Sequence, residues 1–435
     1  MAVDTPARIA IIGAGPIGLE AALYARFLGY DVNLYERGPV AANVGRWGHV
    51  RMFSPFSMNS STLGLAALAA QDPNYEPPAA DAMLTGNEWR DRYLLPLSQS
   101  DLLADCLRCH TEVISATKAG LLKSESVGGE ERDDGIFRIL IRDAEGRESI
   151  QLSDLLIDSS GTYAQPNWLG DGGIPALGES AFRNDIEYGI PDVDCRDAGR
   201  YLGQRVLVVG SGYSAATSVL RMERLLDQSG QTELFWVTRR GASEPPLPRI
   251  AADPLIERDR VGQQANRLAR HPVSRLHYLP ESTIDELRRD APGQPFQVRL
   301  RRRGDAAEQT LTIDRIIANV GYRPDLEITR ELQVHYCYAS EGPMRLAAQL
   351  NSAVSSGKGA GPDDVRTGDC LRLPSVQGDS LRNPEPHFYV LGAKSFGRNP
   401  HFLIRSGLQQ IRELFKIIGD RETLDLYSRP GPLSA

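Results

Sequence analysis

Hydrophobic and polar positions along this chain switch repeatedly between two periods. Short unbroken apolar runs at 9–12 and 206–209 predict buried strands of a parallel sheet. Each is followed by a glycine-rich turn and then by apolar residues at helical spacing, and second strands follow at 31–35 and 233–237. Residues 154–163 and 314–322 echo one another. Both are buried strands that end in a glycine turn, and a proline follows each, Pro166 and Pro324. A last amphipathic pattern predicts a helix over 403–418. The Gly- and Pro-rich stretch 163–175 predicts a crossing between domains, and 351–369 predicts a mobile loop.

The two glycine-rich turns carry the chemistry. They read Gly13-Ala14-Gly15-Pro16-Ile17-Gly18 and Gly210-Ser211-Gly212-Tyr213-Ser214-Ala215. Such a turn uses glycine for a positive φ, for close approach of backbone to a pyrophosphate, and for tight helix–strand packing. The helix that opens there offers N–H groups and a positive dipole end to phosphates. In the first copy the second strand ends at Glu36, next to Arg37 and about twenty residues beyond the first glycine, where a carboxylate accepts the hydroxyls of an adenosine ribose. In the second copy Thr238-Arg239-Arg240 stands there, and two guanidiniums suit a 2′-phosphate. The expectation is an α/β chain with two Rossmann-like dinucleotide-binding domains, FAD in the first and NADPH in the second. The first domain would be discontinuous, 1–165 and 318–435, with the second inserted at 175–317.

Composition changes little in this picture. At 435 residues the chain can bury more than one core. Its 49 basic against 56 acidic residues give a net charge of −7, which disfavours nucleic acid or an anionic membrane as the main partner. No apolar stretch reaches the length of a membrane span, and Met1-Ala2-Val3-Asp4 lacks the regions of a signal peptide, so a cytoplasmic protein is expected. Five cysteines are too few for a disulfide scaffold. Cys106-Leu107-Arg108-Cys109 ends a helix-like run at 100–107; with no second Cys pair it predicts packing cysteines and no metal site.

Together these motifs resemble the two-dinucleotide-binding-domain flavoproteins, a superfamily that includes flavin-containing monooxygenases, N-hydroxylating monooxygenases and thioredoxin-reductase-like enzymes. The resemblance covers nearly the whole chain. The strand ending at Tyr322 is similar to the A-T-G-Y segment of N-hydroxylating enzymes, and Trp236-Val237-Thr238-Arg239 to the 2′-phosphate segment of flavin-containing monooxygenases. The resemblance implies a backbone contact from Val113 to the FAD adenine, and flavin contacts from Trp47, Gly161, Gly392 and Lys394. It also aligns Met58-Asn59-Ser60-Ser61, after an aromatic-rich loop, with a segment whose asparagine lies near the reactive edge of the flavin. Asn59 would then donate a hydrogen bond to a C4a-(hydro)peroxyflavin or to the nicotinamide; otherwise it caps a helix starting near Thr62.

Two departures from the family pattern bear on function. The Phe-x-Gly-x-x-x-His signature is replaced by Leu177-Gly178-Glu179-Ser180-Ala181-Phe182-Arg183, and the late Gly-Asp by Gly392-Ala393-Lys394-Ser395. Lys394 stands either near the flavin or on the surface. The reaction expected is NADPH-driven insertion of oxygen from O2 into a small soft nucleophile at nitrogen or sulfur, with a homodimer as the candidate assembly. The alternatives are a reductase cycling Cys337 with Cys370, and a flavin-bound sensor with little turnover. His49 and His401 join these cysteines as candidate substrate-pocket residues.

Overall fold

The computed structural model describes residues 3, 5–241, 243–304, 308–355, 370–372 and 375–428. The chain forms two compact units, residues 1–165 with 323–435, and residues 166–322. Each crossing falls just past one of the paired glycine turns. The second unit therefore reaches a few residues further in both directions than its expected limits of 175 and 317.

Both units are built on one plan. In the first, five parallel strands lie in the order Phe388–Val390, Leu155–Asp158, Arg8–Ile12, Asp31–Tyr35, Leu107–Arg108. An antiparallel sheet of Glu112–Lys118, Phe137–Arg142 and Glu148–Ser153 is inserted before the strand Leu155–Asp158. In the second, four parallel strands lie in the order Leu276–Leu279, Glu233–Val237, Arg205–Val209, Arg315–Ala318. Its antiparallel sheet is Ser282–Arg288, Phe296–Arg302 and Glu308–Ile313. In each unit the first strand thus lies between a neighbour that follows it directly and one that returns after the insertion. That is a topological switch point, where open α/β sheets bind ligands beyond the carboxyl ends of their strands.

The echo noticed in the sequence is structural. Arg8 opens the first strand and its guanidinium meets Asp154 at 3.1 Å, while Asp154 N donates to Arg8 O. Arg205 opens the equivalent strand of the second unit and meets Asp314 at 2.9 Å, with the same backbone bond from Asp314 N to Arg205 O. Both carboxyls are held below their usual range: burial pulls upward, and the arginine hydrogen bonds outweigh it.

The helix Pro16–Phe27 is buried along Ile17–Ala25 because sheet and C-terminal helix enclose it. That C-terminal helix, Ile404–Gly419, begins one residue later than its pattern predicts and buries Ile411, Leu414, Phe415 and Ile418. Three local expectations change. Residues 101–106 form turns, because Ser100 and Cys106 hydrogen-bond back to Leu97 and Leu103 and close each turn locally. Helix Met344–Ser355 takes in Asn351, where its apolar spacing from Leu346 to Leu350 continues; 356–369 lie outside the described residues. The strand after Cys109, which the sequence pattern places at 110–116, is Glu112–Lys118. Among the described residues no helix is long and apolar enough to cross a membrane.

One ion pair deep in the first unit joins distant segments. Arg132 Nη2 lies 2.9 Å from Glu385 Oε2, both side chains fully buried, and Arg132 also reaches the carbonyls of Leu122 and Glu125. Removing one partner leaves the other charge uncompensated. Arg132→Met is expected to lower stability by about 3–5 kcal/mol, and Arg132→Met with Glu385→Leu by clearly less, in urea unfolding of the whole chain.

Candidate functional site

In the first unit the carboxyl end of Arg8–Ile12 runs into Gly13, whose φ is +95° and whose N–H donates to Tyr35 O at 2.7 Å. A Cβ on Gly13 would meet Ser160 Cα at 2.9 Å, and one on Gly18 would overlap Gly13 O. Gly15 differs. Its backbone is extended, φ −78°, and a Cβ there would meet nothing within 4 Å. The first and third glycines are thus demanded by the protein itself, whereas the second leaves open space at the start of a helix. That space suits the approach of a pyrophosphate, with Pro16 and Ile17 opening the helix behind it.

Glu36 sits at the end of the neighbouring strand. Its Oε2 accepts Ala14 N and its Oε1 accepts Gly38 N, each at 2.9 Å, so the carboxylate is fixed beside the turn with lone pairs to spare for ribose hydroxyls. Next to it Arg37, His110, Glu112, Arg142, Asp143 and Ala144 line an open pocket of about 360 Å³. The sequence reading included Arg37 and missed the others, which come together only through the antiparallel sheet. Val113 is buried at the start of that sheet, next to a register shift between Val113 and Ser115.

Three further loops complete this end of the unit. Helix Ala42–Arg46 is tied to the turn by Ala41 N donating to Ala14 O, and it leads into Trp47. Trp47 packs on Gly86 and, tilted, on Trp89; its buried Nε1 has no hydrogen-bond acceptor among the described residues. A buried N–H left this way costs on the order of 1–3 kcal/mol, so an oxygen-rich ligand is a natural acceptor. His49 is half-buried two residues on. Gly161 (φ +73°) ends the strand Leu155–Asp158, and Gly392 (φ +71°) follows Phe388–Val390.

Lys394 is not a surface residue. It is 1% exposed, with Nζ 2.5 Å from Asp158 Oδ2 and 3.1 Å from Ser160 Oγ. It therefore clips the Gly392–Phe396 turn to the loop against which Gly13 packs. Gly392 N is taken by Gln410 Oε1 at 2.8 Å, which sets the turn on the C-terminal helix.

Asn59 neither caps the helix that starts at Thr62 nor faces outward. Helix Thr62–Gln71 is capped by Ser61, whose hydroxyl accepts Gly64 N at 2.7 Å. Asn59 is buried, and its Nδ2 lies within hydrogen-bond distance of Ser54 O, Ser54 Oγ and Pro55 O. Its two amide hydrogens close the 54–59 loop from within, leaving none for a cofactor. Its backbone carbonyl accepts Trp89 Nε1 at 3.0 Å. A carboxamide that bridges its own loop is invisible in a motif, because the same three letters fit either orientation.

In the second unit Gly210 (φ +138°) donates to Val237 O, and a Cβ on it would overlap Asn319 O. Gly212, like Gly15, has open space where a Cβ would be. Helix Tyr213–Gln228 follows, with Ser214 exposed at its start and Ala215 buried against Gly210. Thr238 is buried, its hydroxyl 3.0 Å from Tyr278 OH, and it fixes the end of the strand from which Arg239 projects exposed and Arg240 half-buried. Asn319 locks the crossing: it accepts Ser218 Oγ at 2.7 Å and donates to Gly189 O at 2.8 Å.

The cysteines separate into two kinds. Burial pushes Cys106 up to about 11 and raises Cys109, as expected of packing residues. Cys337 carries a free thiol. Burial would raise it too, but hydrogen bonds from the Ser340 hydroxyl and from the backbone of Ser340 and Ala339 outweigh that and hold it below its ordinary value. Cys370 is half-buried at the edge of the undescribed residues, and His401 follows the turn in which its N donates to Asn399 Oδ1 at 3.0 Å.

No protein-family profile matches the sequence, and comparison with curated proteins finds no match. Solved structures do match over nearly the whole chain. Bacillithiol disulfide reductase from Bacillus cereus is 15% identical with a TM-score of 0.64, covering 96% of this chain and 99% of its own. The FAD-bound cadaverine monooxygenase DfoA from Erwinia amylovora is 13% identical with a TM-score of 0.60, covering 98% and 99%. An ornithine N-hydroxylase from Kutzneria sp. 744, solved with reduced FAD and NADP+, is 14% identical with a TM-score of 0.58, covering 96% and 100%. These likenesses establish the fold, that of the two-dinucleotide-binding-domain flavoproteins.

The glycines supply a test of the turn geometry. Gly18→Ala is expected to destabilise the chain by about 2–3 kcal/mol, because Gly13 O must move. Gly15→Ala should cost less than about 1 kcal/mol, the difference between two N-cap residues. Urea unfolding of both variants checks the order.

Proposed function

We propose that this chain is an FAD-dependent, NADPH-consuming oxidoreductase, with FAD in the first unit and NADPH in the second. One observation carries the reading. The same open-glycine turn occurs twice, and the residues at the ribose end are opposite in charge, Glu36 in one unit and Arg239-Arg240 in the other. A carboxylate accepts ribose hydroxyls and repels a 2′-phosphate; two guanidiniums do the reverse. FAD would supply two-electron chemistry that connects hydride donation to a second acceptor.

Within that reading we infer a monooxygenase acting on an amine nitrogen or a sulfur. One oxygen atom of O2 would go to the substrate lone pair and the other would leave as water, with two electrons from NADPH. The support is the aromatic residues of the partly buried loop from Trp47 to Asn59 and the likeness to a cadaverine monooxygenase and an ornithine N-hydroxylase. Asn59 serves by holding the loop closed, and Trp47 by offering its unmatched N–H. A second reading is favoured by the depressed Cys337 thiol and the likeness to a disulfide reductase: NADPH-driven reduction of a disulfide, with Cys337 as the attacking thiolate and Cys370 as its partner.

Two measurements test the reading. Arg239→Ala with Arg240→Ala is expected to raise the KM for NADPH about 100-fold or more and to leave that for NADH within about twofold, since each of the two guanidinium–phosphate contacts is worth about 1.5–3 kcal/mol. Equal effects on both nucleotides would remove the 2′-phosphate assignment. After anaerobic reduction by NADPH, mixing with O2 and a panel of amines and thioethers should give oxygenated product. Turnover of disulfides that disappears in Cys337→Ser, with no oxygenated product, would establish the second reading instead.

A further inference from the structure

Glu20 is a charged residue inside the most buried helix of the chain. It lies among Ile17–Ala25 and is 2% exposed, and among the described residues no cation acts on it. Its partners are hydroxyls from three other segments. Tyr93 OH, from the helical turn Arg90–Leu94, lies 2.5 Å from Oε1; Tyr427 OH, from the C-terminal segment, lies 3.5 Å from Oε2; the Ser61 hydroxyl, at the start of Thr62–Gln71, also hydrogen-bonds to it. Tyr93 OH in turn accepts Ser61 N at 3.0 Å.

The C-terminal segment 424–428 is laid across this group. Leu426 N donates to Tyr24 OH at 3.0 Å, and Thr62 Oγ1 donates to Tyr427 O at 2.5 Å. The Tyr427 ring meets Tyr24 edge-on at 5.2 Å. Tyr427 also walls a pocket of about 320 Å³ whose other sides are Ser60, Ser61, Thr62 and the Arg405–Arg412 face of the C-terminal helix. Arg405 and Arg412 are the charged residues of the pocket lining. Arg412 pairs with Glu413 and Asp425, and these three act on Tyr24.

We propose that Glu20 is a proton-operated clasp: protonated, it holds Tyr427 and the segment 424–428 against the Ser61 end of the pocket, and ionised, it releases them.

The sign follows from burial. Enclosure without a cation penalises the carboxylate, so Glu20 is raised to about 7, against an ordinary value of 4.5. Tyr93 and Tyr427 are raised far above 10 and keep their protons throughout. Lifting Tyr427 admits water to Glu20 and lets its affinity for the proton fall towards the ordinary value. The docked state therefore binds the proton more tightly than the released state. Docking is favoured at low pH and lost as pH rises through neutrality.

Hydrogen exchange of the full chain, corrected for intrinsic rates, tests this at about pH 6 and about pH 8, where the linkage allows up to about a tenfold change. The peptide covering 424–428 should exchange about tenfold faster at the higher pH, while the strand Arg8–Ile12 stays protected at both. Glu20→Gln should keep the peptide slow at both values, and Tyr427→Phe should make it fast at both. Equal corrected exchange of the wild-type peptide at the two pH values overturns the proposal, as does an unchanged acceleration in Glu20→Gln. The wild-type comparison decides the matter even if either variant folds poorly.

Discussion

The close approach of a strand end to the first glycine of each turn is the contact on which everything else in this fold hangs. Gly13 can lie against Ser160, and Gly210 against Asn319, because neither carries a Cβ and both adopt positive φ. That approach brings three things to one place: the helix N-terminus, the end of the following strand, and the end of the strand that returns after the insertion. At the far end of the same strands, Arg8 with Asp154 and Arg205 with Asp314 hold the register. A slip of one residue would invert which side chains face the core and would pull the glycine away from its neighbour. Each sheet is thus pinned at both ends, by an ion pair at one and by steric contact at the other.

The two units diverge where chemistry requires it. The turn itself is nearly the same, but the first unit closes around its site with Lys394, Trp47 and the Gln410-anchored turn, and the second leaves Arg239 exposed. A cofactor that stays bound through many turnovers gains from enclosure; a nucleotide that exchanges on every turnover gains from an open rim. In the proposed function this difference separates a resident flavin from a diffusing NADPH.

Local pattern was enough to find the parallel strands, the fingerprint helices and the C-terminal helix, since each depends on a period or a turn within a few residues of itself. The glycine turns were legible for the same reason: their steric demand is written at fixed spacing. The Arg–Asp clasps, Lys394 on Asp158 and Arg132 on Glu385 were not, because the partners lie more than a hundred residues apart and only the fold brings them together. Asn59 shows a subtler limit. Its position in the chain was read from a motif, but whether its carboxamide points into its own loop or out of it is decided by Ser54 and Pro55. Glu20 did leave a signal, a lone acid in an apolar helical run, yet a run of sequence cannot tell whether such an acid is paired.

That last distinction separates the buried acids of the first unit into two kinds. Asp158 faces Lys394 and Glu385 faces Arg132, so each of these buried carboxylates has an opposite charge beside it. Such pairs fix position. Glu20 faces only hydroxyls, and hydroxyls solvate a carboxylate without neutralising it. A group in that setting keeps both protonation states within reach near neutrality, and the cheapest way to admit the charged one is to move whatever covers it. The cover here is a short C-terminal segment held by a few hydrogen bonds and one aromatic contact, rather than a strand of the sheet. The weakest element touching the uncompensated charge is therefore the one that should respond to it, while the sheet beneath remains fixed by its pairs.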